Sequence, residues 1–246
     1  MTSEPLLEGS VRVQLFDLDG VLTDSAVAHA SAWAATFDGA LSDPDVASRL
    51  GLVDRNPFDR VKDYRQHVDG RLRLDGIARF LTSRGASPET LFSERGLVDQ
   101  LAADKDERYR AAVADGQVHV YEDARQYLRA LRERGTPTAV VSSSANTRLV
   151  LSATDLLDLV DVVVDALVAA EHGLRGKPAP DTFLHAAAAL DAEPSECAVF
   201  EDAVVGVEAA RAGGFGVVVG VDRHGRGVLA DAGADIVVSR LTELSA

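Results

Sequence analysis

The sequence is poor in cysteine, in aromatic residues and in long apolar runs. Its 246 residues include one Cys and one Trp, and aromatic residues make up 5% of the chain. A single Cys197 cannot form an internal disulfide, so a packed core must stabilise the fold. Charged residues interrupt every apolar segment before it reaches the roughly 18 residues that a membrane-spanning helix needs. We therefore expect neither a disulfide-linked domain nor a membrane span.

Basic residues are scarce relative to acidic ones. The chain has 25 Lys and Arg against 39 Asp and Glu, a formal net charge of −14. Nucleic acids and anionic membranes bind to basic surfaces, so neither is an expected partner. No secretory signal pattern is visible at the amino end, and we expect a reducing cytoplasmic location and a monomer. The 46% hydrophobic content is ample for a sizeable core.

Short β-branched runs alternate with segments of helical period in most of the chain. The predicted strands are residues 11–16, 138–141, 160–164, 198–200, 216–219 and 236–238. The predicted helices are residues 123–134, 146–156, 180–190, 203–212 and 227–232. Alternation of this kind predicts an α/β fold with a doubly wound parallel sheet.

The segment from residue 26 to residue 116 breaks this alternation. It is rich in Arg, Asp, Ala and Leu at helical spacing and contains no convincing strand. A helical insert after the first strand would lie above the carboxyl ends of the strands, where open α/β sheets bind ligands. We therefore predict a catalytic core of residues 1–25 and 117–246 and a helical cap of residues 26–116.

The first strand is followed directly by a pair of carboxylates. Asp17 and Asp19 come after the apolar run that ends at Phe16, and Gly20 follows them. Two such carboxylates can converge on one site if the chain leaves the strand at once, and glycine gives the backbone that freedom. The plain alternative is an acidic turn followed by a helix cap.

Two further motifs also follow predicted strands. Ser142 ends an apolar strand and precedes a helix, which is typical of a donor to phosphate oxygens. The alternative is a simple helix cap by Ser144. Lys177 lies on a loop that Pro178 and Pro180 stiffen, and a held ammonium can neutralise a phosphoryl group. The alternative is an exposed, solvated lysine.

A second acidic pair completes the pattern. Glu201 and Asp202 end another strand, and carboxylate oxygens suit Mg²⁺. Alternatively Asp202 caps the next helix and Glu201 is solvated. Because the carboxyl ends of parallel strands share one edge of a sheet, all these motifs should meet. In order and setting they resemble the four motifs of the haloacid dehalogenase superfamily, and the resemblance covers essentially the whole chain.

This resemblance implies a role for each motif residue. Asp17 would be the nucleophile that forms an aspartyl-phosphate, and Asp19 its general acid and base. Ser142 and Lys177 would bind the transferring phosphoryl group. The Mg²⁺ site implied by the family comprises the Asp17 carboxylate, the Asp19 backbone carbonyl and Asp202, with Glu201 in support.

Within the superfamily the chain most resembles the β-phosphoglucomutase-like subfamily. That resemblance makes His29 a cap-hinge histidine, Arg73 the group that grips the non-transferring phosphate, and Lys105 a cap lysine that enters the site. Ser144 and Asn146 would contact the same second phosphate from the core. For His29, Arg73 and Lys105 a solvated helix face is the plain alternative.

Three functions remain open on this evidence. The first is a mutase that moves phosphate between O1 and O6 of a β-hexose phosphate. The second is a phosphatase for sugar phosphates or small metabolites on the same scaffold, with water as acceptor. The third is a receiver that accepts phosphate as a signal. A large helical insert and an acid such as Asp19 both count against a receiver.

Overall fold

The protein is built on a parallel six-stranded sheet. The computed structural model describes residues 11–244. The strands are β1 Val13–Phe16, β2 Thr23–Asp24, β3 His119–Val120, β4 Thr138–Val141, β5 Val162–Val164, β6 Cys197–Glu201, β7 Val217–Val221 and β8 Ile236–Val238. All strands except β2 and β3 form the main sheet, in the order β5-β4-β1-β6-β7-β8. The six predicted strands and the α/β class are confirmed.

Strand β1 lies in the middle of this sheet. Leu15 is aligned with Ala139 of β4 and with Val199 of β6, and both pairings are parallel. Because β1 has neighbours on both sides and helices over the sheet, its residues are buried and, apart from Gln14, apolar. The carboxyl ends of β1, β4 and β6 therefore lie side by side, and each is followed by one of the predicted motifs.

The described chain divides into two compact units. The core unit comprises residues 11–25 and 118–244, and the helical unit comprises Ala26–Gln117. The helices of the helical unit are α1 Ala26–Ser42, α2 Pro44–Arg49, α3 Arg73–Ser83, α4 Pro88–Ser93 and α5 Arg95–Ala114. A π-helical turn covers Tyr64–Val68.

The core unit carries the remaining helices. They are α6 Glu122–Arg134, α7 Thr147–Ala153, α8 Ala166–Glu171, α9 Asp181–Ala189 and α10 Val204–Ala212. Helix α9 packs against β1, β4 and β5, and α10 packs against β6 and β7. Helix α8 was not predicted from the sequence. Asp165 begins it, because its carboxylate accepts hydrogen bonds from the backbone N–H groups of Leu167 and Val168.

The predicted helix at residues 227–232 is wrong. This segment contains turns, so no helix lies between β7 and β8. Gly225 and Gly227 adopt left-handed φ angles of 64° and 70°, and Asp222 accepts hydrogen bonds from the backbone N–H groups of Arg226 and Gly227. The side chain of Asp222 thus satisfies N–H groups that a helix would pair internally.

A short antiparallel ladder was also missed. Strands β2 and β3 pair Thr23 with Val120 and Asp24 with His119. They lie immediately before and after the helical unit in the chain. Two-residue strands leave no hydrophobic period that a sequence pattern could reveal. Among the described residues, no helix is both long enough and apolar enough to cross a membrane.

Four aromatic residues form the centre of the helical unit. The rings of Phe37 and Phe80 lie 4.0 Å apart, and those of Phe58 and Phe80 lie 5.2 Å apart. Trp33 stacks on Phe37 at 5.0 Å. Arg84 covers this cluster, with its guanidinium carbon 5.0 Å from the Phe80 ring centroid.

The guanidinium of Arg84 joins two separate parts of the helical unit. It donates to Asp63 at 2.6 Å and to Asp54, and its side chain is only 10% exposed. The backbone carbonyl of Arg84 also accepts from the N–H of Val53 at 2.8 Å. The long loop before the π-helical turn is therefore anchored on a buried cation.

Replacing Arg84 with Met should destabilise the helical unit by about 3–5 kcal/mol, because Asp63 would remain buried without its partner. Chemical denaturation followed by the fluorescence of Trp33, the one tryptophan of the chain, measures this unit directly. Arg95→Met is the matched control: its pair with Asp99 is exposed, and we expect a loss below about 1 kcal/mol. Equal effects of both variants would contradict a structural role for the Arg84 pairs.

Candidate active site

Asp17 is the first residue beyond β1 and lies between the ends of two neighbouring strands. Its backbone N–H donates to the carbonyl of Phe200 in β6 at 2.9 Å, which continues the ladder by one residue. The residue is 7% exposed, so its carboxylate sits at the sheet edge with little contact with water. A carboxylate in such a place needs a cation to stabilise its charge.

Lys177 supplies that cation. Its Nζ lies 2.5 Å from Oδ1 of Asp17 and 2.6 Å from Oε1 of Glu201. It also donates to the carbonyl of Val141, the last residue of β4, at 3.1 Å. The side chain is 2% exposed, so the solvated-lysine alternative is wrong. One ammonium thus joins the ends of β1, β4 and β6.

Burial and charge set the protonation of this cluster. Burial raises the pKa of Asp17 to about 8; Lys177 opposes that shift, and the nearby Glu201 and Asp19 add to it. Burial by itself would lower the pKa of Lys177, but the carboxylates of Asp17 and Glu201 hold it above its usual value. The lysine therefore stays charged, and the excess of carboxylates favours a further cation.

Asp19 lies in a tight turn whose shape depends on Gly20. Gly20 has a φ of +86°, and its N–H donates to the carbonyl of Thr23 at 2.8 Å. A Cβ at this glycine would lie 2.1 Å from Oδ2 of Asp202. The turn also brings Ser25 onto Asp19, where its hydroxyl donates to Oδ1 of the carboxylate. Asp19 is therefore oriented by a residue six positions further on.

Glu201 is held at both of its oxygens. Oε1 faces Lys177, and Oε2 accepts from the backbone N–H groups of Asp202 and Ala203 at 3.1 and 3.2 Å. The carboxylate fits only because position 206 is glycine, where an added Cβ would lie 1.9 Å from it. Glu201 is 1% exposed, so the solvated alternative for this residue is wrong.

The carboxylates of Asp17, Glu201 and Asp202 form a donor set that fits a metal ion. Each offers an oxygen within 4.8 Å of the others. Hard oxygen donors of this kind suit Mg²⁺, which takes few protein ligands and keeps several waters. Since both Glu201 oxygens already have donors, the geometry favours Asp17 and Asp202 as side-chain ligands. Direct ligation by Glu201 stays a prediction, as does the use of the Asp19 carbonyl.

Ser142 continues β4 at the same sheet edge. Its N–H donates to the carbonyl of Val164 at 3.0 Å, and its hydroxyl oxygen accepts from the N–H of Ser144 at 3.1 Å. The hydroxyl of Ser144 in turn accepts from the N–H of Asn146 at 3.1 Å. Helix α7 begins at Thr147 with Asn146 before it, so Ser144 does not cap the helix directly. These residues form a chain of short turns that begins next to Val141, whose carbonyl accepts from Lys177.

His29 and Lys105 meet inside the helical unit. The Nζ of Lys105 lies 2.9 Å from Nδ1 of His29, and the two residues are 4% and 8% exposed, respectively. The ammonium lies 5.0 Å from the Trp33 ring and 4.6 Å from the Tyr109 ring. Tyr109 also stacks on His29 at 3.9 Å. The solvated-face alternative is wrong for both residues.

Arg73 is the first residue of α3 and has partners within the helical unit. Its guanidinium lies 2.5 Å from Oδ1 of Asp106 and 3.3 Å from the carbonyl of Ala102. The side chain is 25% exposed. Arg73 is thus neither a freely solvated residue nor an isolated cation, and its role toward a phosphate stays a prediction.

Sequence reasoning assigned no role to several residues that shape the site. Gly206 could have been found, since a glycine inside a helical pattern indicates close packing by another group. Tyr109 shares a helical face with Lys105, four residues earlier. The contact of Ser25 with Asp19 could not be predicted, because a serine directly before a helix is usually interpreted as a helix cap.

Comparison with known proteins identifies the family. The sequence pattern of the haloacid dehalogenase-like hydrolases matches residues 11–214. The chain is 44% identical to a β-phosphoglucomutase of Mycobacterium bovis, with 97% of this chain and 93% of that protein covered. It is 32% identical to validoxylamine A 7'-phosphate phosphatase of Streptomyces hygroscopicus subsp. limoneus, with 95% of each chain covered.

A solved structure agrees with this result at the level of the fold. The crystal structure of β-phosphoglucomutase from Clostridium difficile superposes with a TM-score of 0.74 and 24% identity, covering 95% of this chain and 93% of that one. The family match and the 44% identical relative make this chain an enzyme of the haloacid dehalogenase phosphotransferase type. The chain belongs to the haloacid dehalogenase superfamily, in its β-phosphoglucomutase-like subfamily. The receiver alternative is therefore wrong.

Substitution of Gly206 by Ala tests the packing beneath Lys177. The new methyl group would displace the Glu201 carboxylate, and a misplacement of about 1 Å near the reacting groups can lower turnover about 100-fold. Gly39→Ala is the control, since nothing lies within 4 Å of a Cβ at that helical position. We expect it to leave turnover of a phosphate ester unchanged. Wild-type turnover in the Gly206 variant would contradict this account of Glu201.

Proposed function

We propose that this enzyme transfers phosphoryl groups on small sugar phosphates through an aspartyl-phosphate at Asp17. The specific reaction is the conversion of β-glucose 1-phosphate to glucose 6-phosphate. The observation that carries this proposal is the buried contact of Lys177 with Asp17 at the end of the central strand. The 44% identity to a protein named β-phosphoglucomutase supports the choice of substrate.

In the first half-reaction, an oxygen of Asp17 attacks phosphorus and the bond from phosphorus to the sugar oxygen breaks. Asp19 donates its proton to that leaving oxygen, with its carboxyl oriented by the hydroxyl of Ser25. Lys177 and the Ser142 hydroxyl bind oxygens of the phosphoryl group, whose charge would otherwise oppose that of Asp17. The product is a phosphorylated Asp17 and a neutral sugar hydroxyl.

In the second half-reaction the roles of Asp19 are reversed. Its carboxylate takes the proton of an acceptor hydroxyl, which attacks the phosphorus on Asp17. The bond between phosphorus and the Asp17 oxygen breaks and restores the carboxylate. In a mutase the acceptor is a hydroxyl of a sugar monophosphate, so this half-reaction yields a bisphosphate. The bisphosphate then donates its other phosphoryl group to Asp17 by the first half-reaction, which leaves the isomeric monophosphate.

Mg²⁺ completes the charge balance of this site. Asp17, Asp202 and the Asp19 backbone carbonyl would hold it, with Glu201 supporting Lys177 at its side. When bound, the ion neutralises charge on the phosphoryl oxygens and on the surrounding carboxylates. The space that Gly20 leaves for the Asp202 carboxylate supports this donor set.

The helical unit is proposed to act as a cap that recognises the second phosphate. Arg73 is its main ligand, with Ser144 and Asn146 as ligands from the core unit. His29 is the cap-hinge histidine, and Lys105 is the cap lysine that enters the site. A planar guanidinium can meet phosphate oxygens with two parallel hydrogen bonds. Because Arg73 pairs with Asp106 in the structure, the phosphate would have to share or replace that carboxylate.

A phosphatase on the same scaffold is the second candidate. The relative named validoxylamine A 7'-phosphate phosphatase, 32% identical over nearly its full length, favours it. The first half-reaction would be identical. Water instead of a sugar hydroxyl would then attack the phosphorylated Asp17. The second phosphate site separates these candidates, since a phosphatase does not require one.

An assay of both products separates the two candidates. With Mg²⁺ and a trace of glucose 1,6-bisphosphate, wild-type enzyme should form glucose 6-phosphate from β-glucose 1-phosphate faster than it releases inorganic phosphate. Arg73→Ala should lower isomer formation about 10- to 100-fold, the usual value of a hydrogen bond to a charged group. It should leave hydrolysis of para-nitrophenyl phosphate nearly unchanged.

Arg79→Ala is the matched control, because Arg79 is an exposed arginine on the same helix as Arg73. It should leave isomer formation unchanged. Release of inorganic phosphate without any isomer, together with indifference to Arg73→Ala, would establish the phosphatase instead.

A further inference from the structure

A buried arginine outside the four motifs holds the loop that carries Asp19. Arg223 lies just beyond β7, and its side chain is only 6% exposed. Nη1 contacts both oxygens of Asp123 at 2.8 Å, and Nη2 donates to the backbone carbonyl of Val21 at 2.7 Å. The guanidinium carbon also lies 4.0 Å over the ring of Tyr121.

Asp123 fixes Arg223 in place. Its carboxylate accepts from the backbone N–H of Leu241 at 2.7 Å in addition to the guanidinium. Helix α6, the loop after β7 and the last described turn of the chain therefore meet at one ion pair. A guanidinium with two anchors of this kind has little freedom to move.

The group that Arg223 holds is part of the first motif. Val21 follows Gly20 directly, within the turn in which the N–H groups of Leu22 and Thr23 both donate to the carbonyl of Leu18. The neighbouring carbonyl, that of Leu22, accepts from the N–H of Tyr121 at 3.0 Å. The carbonyls of Val21 and Leu22 thus anchor the turn. Arg223 donates to the first and packs over the ring of Tyr121, whose N–H donates to the second.

We propose that Arg223 is a positioning residue that sets the location of the Asp19 carboxyl for proton transfer. The inference rests on the proposed function, because it assigns Asp19 the role of general acid. Asp19 lies two residues before Val21, in the same hydrogen-bonded turn. Loss of the Arg223 contact would let the turn shift while Asp17, held by β6 and Lys177, stays in place.

This separation of the two aspartates gives a selective prediction. A sugar alkoxide is a poor leaving group and requires a proton from Asp19, whereas acetyl phosphate releases acetate, which requires none. A displaced Asp19 should therefore slow the phosphorylation of Asp17 by sugar phosphates and spare its phosphorylation by acetyl phosphate. General destabilisation of the protein would lower both rates together.

The experiment compares the single-turnover rates at which β-glucose 1,6-bisphosphate and acetyl phosphate phosphorylate Asp17. Arg223→Met should lower the rate of Asp17 phosphorylation by the sugar bisphosphate about 10- to 100-fold, the range for a displaced catalytic group. With acetyl phosphate it should lower the rate of Asp17 phosphorylation less than about threefold. Asp19→Asn provides the reference for a complete loss of the acid. Arg211→Met, which removes a pair with Asp235 in the same unit, should leave the ratio of the two rates unchanged.

Arg223→Lys covers the case in which the Met variant does not fold. Lysine keeps the charge beside Asp123 but cannot contact both Asp123 and Val21. The rate with the sugar phosphate should therefore still fall relative to the rate with acetyl phosphate. An equal decrease with both donors, or an unchanged ratio in a folded variant, would overturn the inference. Absence of transfer from either donor in wild-type enzyme would instead overturn the proposed function.

Discussion

The contact between Lys177 and the two carboxylates of Asp17 and Glu201 is the constraint on which the site depends. Burying three charged groups costs several kcal/mol for each ion, and only close mutual contact offsets that cost. The contact therefore requires the ends of β1 and β6 to lie side by side, so that both carboxylates reach the Lys177 ammonium at hydrogen-bond distance. The parallel register of the sheet, with Asp17 bound to the carbonyl of Phe200, provides this alignment.

Other features of the core unit follow from the same constraint. Gly206 leaves space for Glu201, and Gly20 leaves space for Asp202, so neither position can carry a side chain without moving a carboxylate. The charge pattern also explains how an acidic protein can handle phosphate. Its net charge is −14, and Lys177 places a buried cation at one fixed position of the sheet edge.

The sequence predicted the sheet and the residues at its edge because both produce local signals. Each strand is a short apolar run, and each motif follows such a run directly. Prediction from the sequence failed where the structure depends on side-chain contacts between residues that are far apart in the chain. Residues 227–232 have a helical pattern but form turns. Asp222 binds backbone N–H groups there, and Gly225 and Gly227 adopt left-handed φ angles. Arg223 gave no signal, because its partners Asp123 and Val21 are far away in the sequence.

Identification of the phosphorylated residue tests the account most directly. Enzyme mixed with radiolabelled β-glucose 1,6-bisphosphate and Mg²⁺ would be quenched in acid within one turnover and digested. We predict a label that hydroxylamine releases, in the peptide that contains Asp17, and no label in an Asp17→Asn variant that folds normally. Turnover with the label on a different residue, or retained labelling in the Asp17→Asn variant, would contradict the account.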